Sequence, residues 1–88
     1  MMSDEAARAE DLLPLEFAAQ LIVKIMADPV CDVAYKAVVE NPTPKRVDRL
    51  RYVTFWALVE ADCPVEARQR MARAHVRSAI IEHHVAKS

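Results

Sequence analysis

An all-α protein is what this sequence predicts: a compact bundle of four main helices plus a short N-terminal helix, assembled as a homodimer. Three observations lead there. None of the 88 residues is glycine, which removes the residue that tight β-hairpin turns need most. Pro29, Pro44 and Pro64 each follow a residue able to cap a helix, namely Asp28, Thr43 and Cys63, with Asp62 a competing cap at the third site. Proline is welcome at the first helical position because its missing N–H would find no partner there. Finally, the apolar runs are interrupted by polar residues spaced four apart, which places them on one helix face.

The elements follow in order. A first short helix, Asp4 to Glu10, starts after Ser3 and sets Asp4 and Glu5 against the positive end of its dipole. A second, Leu12 to Ala27, takes Asp11 as its cap and tolerates Pro14 in its first turn. These two are also readable as one bent helix. The third spans Pro29 to Glu40 and is closed by Asn41-Pro42, because a residue before proline is driven out of the helical region. The fourth runs from Pro44 to Ala61 and the fifth from Pro64 to Val85. Connections this short imply antiparallel or sharply turned neighbours. Residues 1–88 form a single helical domain.

The polar stripes are narrow. Between Leu12 and Ala27 the polar side chains are Glu16, Gln20 and Lys24, and between Val30 and Glu40 they are Asp32, Lys36 and Glu40. A lone globular helix normally shows water a wider face. Apolar residues make up 53% of the chain with no glycine among them, against a usual figure of about 45–50% that includes glycine. The expectation is therefore more apolar surface than one copy can shelter, and a second copy or another protein to cover it.

The segment 44–61 changes character midway. It opens on Lys45, Arg46, Asp48, Arg49 and Arg51, then runs apolar on nearly all sides from Tyr52 to Val59. Tyr52, Phe55 and Trp56 read as core. The segment 64–85 carries two apolar strips. Ala67, Met71, Ala74, Ser78, Ile81 and Val85 form one; Val65, Ala72, Val76, Ala79 and Ile80 form the other. Arg70, Arg73 and Arg77 lie on one flank between them, with Arg68, His75 and Glu82 on the other. A helix with two apolar strips sits between two layers, one its own bundle and the other a partner.

Charge is divided along the chain. Residues 1–43 hold eight acids and three bases; residues 44–88 hold five acids and nine bases. The cations opening the segment 44–61 oppose its helix dipole at about 0.3–1 kcal/mol each in the first turn. An anion that repays them could be the acids near the N-terminus, an acidic partner or phosphate. A nucleic-acid reader of helix-turn-helix type would use Lys45, Arg46 and Arg49. The two cysteines are too few for a disulfide framework. No cationic start leads into a long apolar core, and every apolar run falls short of the roughly 18 residues that span a bilayer. A cytoplasmic protein is expected, away from membranes and with no metal, cofactor or small molecule. No Cys-x-x-Cys or His-x-x-x-His pattern is present.

The run Arg77-Ser-Ala-Ile-Ile-Glu-His83-His84 resembles the arginine–spacer–histidine element of HEPN-type helical ribonucleases. The resemblance covers eight residues. It implies RNA cleavage by an arginine and a histidine that meet across a dimer, and it stands as a second alternative beside the nucleic-acid reader. The leading expectation is a non-enzymatic protein-binding module of regulatory, adaptor or inhibitor type, with no catalytic residues. Its partner surface is expected to use Lys45, Arg46, Arg49, Arg70, Arg73, Arg77, Val76 and Ile80, since arginine is favoured at binding hot spots.

Overall fold

The computed structural model describes residues 15–88. They form four helices: α1 Leu15–Ala27, α2 Pro29–Glu40, α3 Pro44–Glu60 and α4 Val65–Lys87. The expected bundle of four helices is what folds. The expected short helix at Asp4 to Glu10, and the start of the next one at Leu12, lie outside the described residues. No described helix is long and apolar enough to cross a membrane.

Two of the three proline starts behave as expected. The Asp28 carboxylate accepts hydrogen bonds from the Val30 amide at 2.8 Å and the Cys31 amide at 3.2 Å, with Pro29 at the first helical position. Thr43 Oγ1 accepts from the Arg46 amide at 3.2 Å, with Pro44 first in its helix. These side-chain oxygens satisfy amides that have no partner within the helix.

The third start differs. α4 begins at Val65, and Pro64 occupies the cap position without a side-chain cap bond. Asp62, expected as a competing N-cap, serves instead to end α3. Its φ is 63°, the left-handed position that usually goes to glycine and that aspartate tolerates best among charged residues. The Asp62 amide donates to the Val59 carbonyl at 3.1 Å and the Cys63 amide to the Leu58 carbonyl at 3.0 Å. These two bonds are the Schellman arrangement. Leu58 and Cys63, at its two ends, meet in the core. At the other end α4 continues to Lys87, two residues past the expected stop.

The core has two connected parts. Leu21, Ile25, Cys31, Leu58, Cys63, Ala67 and Ala72 form one; Ala34, Val38, Leu50, Val76 and Ala79 form the other. Small residues on α2 and α4 let the helices approach closely, so leucines rather than rings fill the interior. This corrects the expected aromatic core. α3 buries Leu50, Thr54 and Leu58, a line of residues four apart. Tyr52 is left 64% exposed and Trp56 48% exposed, with only Phe55 partly sheltered.

Thr54 is fully buried, and among the described residues its hydroxyl has no nitrogen or oxygen partner, only the Cys31 thiol, a weak one. An unsatisfied buried hydroxyl costs about 1–3 kcal/mol. Thr54→Val removes the polar atom while keeping the branched shape. It is expected to raise the melting temperature by about 4–8 °C per kcal/mol recovered, read by circular dichroism. An unchanged or lowered melting point would mean that the hydroxyl is already satisfied.

Candidate functional site

The four helices do not close on each other equally. α1 packs mainly on α2 and α3, while α2, α3 and α4 pack mutually. A groove of about 700 Å³ is left between α1 and α4, with α2 as its floor. α1 contributes Ala18, Ile22, Ile25 and Met26; α2 contributes Cys31, Tyr35 and Val39; α4 contributes Met71, Ala74, His75 and Ser78. Lining of this kind is mostly apolar. Of these, Ile22 is 44% exposed and Met26 64%; Val23, Ile81 and Val85 are further exposed apolar residues on the same two helices. The narrow polar stripe Glu16, Gln20 and Lys24 is exposed, as expected, and the groove side of α1 lies roughly opposite to it by helical geometry.

A small polar cluster sits at one end. The Tyr35 hydroxyl donates a hydrogen bond to Glu82 Oε2, and the Tyr35 ring lies 4.7 Å from the His75 ring. Burial, reinforced by the bond to Glu82 and its negative charge, pushes the Tyr35 phenol up to about 12. The phenol therefore stays a neutral donor at any physiological pH. Asp32 and Lys36 form an ion pair at 3.1 Å along the α2 rim. Burial also raises the Cys31 thiol, with Asp28 adding to the effect, so this cysteine lines the floor as an unreactive thiol.

His75 supplies a pH handle. Burial lowers its imidazole below the ordinary 6.5, partly opposed by Glu82. The folded chain therefore resists protonation more than the unfolded chain does. Stability is complete above about 6.5 and falls as the pH drops through that value toward the folded one, because the unfolded state then binds more protons. Urea midpoints measured between about pH 7.5 and pH 5 should decline, and His75→Phe should flatten that part of the decline. An identical slope in the variant would reject this assignment.

The residues expected at the partner surface separate into three groups. Arg46 turns inward. Its Nη1 donates to the Ala37 carbonyl at 2.9 Å and to Glu40 at 3.1 Å, with the Asn41 carbonyl at 3.5 Å. The cation that opposes the α3 dipole is thus placed on the carbonyl end of α2, where a positive charge is favoured. Val76 and Ile80 face the core of the chain: Val76 is buried at 7% exposure, and Ile80 is partly buried against the same cluster. Lys45, Arg49, Arg70, Arg73 and Arg77 remain exposed.

The exposed cations form two surfaces. On α3, Lys45, Arg49, Tyr52 and Trp56 fall on one face at spacings of four, three and four. On α4, Arg70, Arg73 and Arg77 form a row with Glu66 and Gln69 at its start, and Ala74 belongs both to this shelf and to the groove wall. Among the described residues none of these three arginines is in an ion pair; the pairs present are Lys36–Asp32, Arg46–Glu40 and Arg51–Asp48.

In the Arg77 to His84 run, the two histidine rings lie 5.3 Å apart, edge to face, but differ in their surroundings. His83 Nδ1 lies 2.8 Å from the Val39 carbonyl. A carbonyl only accepts, so this nitrogen carries the proton. His84 is exposed on the same side of α4 as Arg77, seven residues earlier.

Sequence reasoning did not single out the groove residues Ile22, Met26, Tyr35 and Glu82 as a set. The available signal was that Ile22 and Met26 share one face of a helix whose polar stripe lies elsewhere. Compared with known protein families, curated proteins and solved structures, the chain has no significant match in any of the three.

Proposed function

We propose that this protein is a non-enzymatic protein-binding module of regulatory, adaptor or inhibitor type, working as a homodimer or bound to another protein in the cytoplasm. The observation that carries this reading is the half-open apolar groove between α1 and α4, lined in part by the exposed Ile22 and Met26. Contiguous apolar surface rimmed by charge is characteristic of interaction sites. Its chemistry also favours a polypeptide: a groove walled by parallel helical ridges accepts side chains at i, i+3, i+4 and i+7. Sedimentation velocity at micromolar concentration is expected to give a species of about twice the 9.9 kDa chain mass, or a defined complex when a partner is added. A clean monomer that binds no protein overturns the reading.

A second reading has one observation behind it. Lys45, Arg49, Tyr52 and Trp56 combine cations and exposed rings on one face of α3, and single-stranded nucleic acid binds by phosphate contact together with stacking on rings. Under this reading, single-stranded RNA or DNA binds at low salt, weakens steeply as salt rises, and is lost in Arg49→Ala combined with Trp56→Ala. Unchanged mobility in a gel shift with both nucleic acids rejects it.

A further inference from the structure

The row Arg70, Arg73 and Arg77 borders the groove on its α4 side, and Ala74 is common to both surfaces. On a helix, Arg70 and Arg77 lie about 40–60° around the axis from Ala74, on the side away from Met71, His75 and Ser78, with Arg73 farther round at about 100°. A body seated in the groove would therefore meet these guanidinium groups along one flank. On the other sides Lys36 pairs with Asp32, and Glu82 adds a carboxylate that accepts the Tyr35 hydroxyl. Glu66 stands at the start of the arginine row, which leaves that flank net positive.

We propose that the groove and this arginine row together form a docking site for an amphipathic helix of a partner protein, apolar on one face and acidic on the flank that meets α4. Charge complementarity selects the occupant. Three arginines without ion partners among the described residues call for carboxylates, and arginine forms the strongest bonds with them. Length is set by the wall. From Met71 to Glu82 the α4 edge runs for about 16 Å at 1.5 Å per residue, or three turns. Direction is set by Glu82, which stands at the end remote from Arg70 and repels an acid there; the acidic residues belong opposite Arg70 to Arg77. A second copy's α1 is a poorer fit, because its polar stripe holds one acid, Glu16, and one base, Lys24.

This inference rests on the protein-binding reading. It is tested on the full chain by fluorescence anisotropy with a labelled synthetic helix of four turns. That peptide carries leucines at i, i+3, i+4 and i+7 and glutamates on one flank; its control carries lysines in place of the glutamates. The acidic peptide is expected to bind at micromolar concentration, and the lysine control at least about tenfold more weakly. Affinity should fall about tenfold or more in Arg70→Glu combined with Arg77→Glu, two exposed positions whose replacement leaves the helical circular dichroism unchanged. Raised salt should narrow the difference between the peptides. Equal binding of both peptides, or no loss in the arginine variant, overturns the acidic partner.

Tighter binding by a synthetic peptide of residues 1–14 assigns the groove to this chain's own sequence and likewise overturns it. So does a dimer in which the peptide binds only as monomer appears. Failure here is distinct from failure of the broader reading. A protein that self-associates or captures a defined partner while ignoring the acidic peptide keeps the reading and loses this inference. A monomer that binds no protein and no peptide loses both.

Discussion

Leu58→Ala is expected to lower the stability of this protein by about 2–5 kcal/mol, the range for a leucine removed from a packed core. Leu58 is fully buried and stands at the junction of α3, the Schellman turn and the first core cluster. A domain of this size is stable by roughly 4–13 kcal/mol, so the loss is a large share of the total. With a urea slope of about 1 kcal/mol/M, the midpoint falls by about 2–5 M, or the chain is unfolded without denaturant. The informative comparison is Trp56→Ala. A buried tryptophan would cost about 3–5 kcal/mol, but Trp56 is 48% exposed. It recovers about half of the 1.5–3 kcal/mol that full burial of a large apolar side chain is worth, or about 0.8–1.5 kcal/mol, and leaves no closed cavity. The expected order is therefore Leu58→Ala well below Trp56→Ala in stability. The reverse order would return the aromatic residues to the core.

Ile22→Glu combined with Met26→Glu is expected to abolish association while leaving the fold intact. Both side chains line the groove, and at 44% and 64% exposure neither is needed to close the core. Two carboxylates on an apolar face must be desolvated when a partner covers it. A loss of affinity on the order of 100-fold corresponds to about 2.7 kcal/mol, a modest share of that penalty. Sedimentation should show monomer in the variant under conditions where the wild type associates, and helical content should match. Undiminished association would place the contact elsewhere, with the α3 face of Tyr52 and Trp56 the next surface to test. The two variants act on separate parts of the molecule, so their effects on stability and on association can be read independently.

The local signals in this chain were legible because they act over three or four residues. Asp28 and Thr43 cap α2 and α3 as their spacing to the following prolines implies. The stripe of Glu16, Gln20 and Lys24 does face water. Asp62 is ambiguous in the sequence, because the same aspartate can cap a helix start or occupy a left-handed helix stop. The choice fell to the bonds that Asp62 and Cys63 make back to Val59 and Leu58. On α4 the two strips were visible, but their assignment was not. Val76 and Ile80 turn inward, while Met71, Ala74 and Ser78 line the groove.

The sequence by itself determined the helices, their short connections and the excess of apolar residues over what the polar stripes could balance. It did so because caps, prolines and four-residue spacing are properties of single segments. Only the tertiary structure decided which apolar faces meet. α3 is apolar on nearly every side beyond Tyr52, so periodicity offers no preferred face there. The alanines of α2 and α4 admit the line of Leu50, Thr54 and Leu58 and leave no room for rings. The same packing holds α1 against α2 and α3. It thereby opens a groove whose walls come from segments more than forty residues apart, a relation that no local pattern encodes.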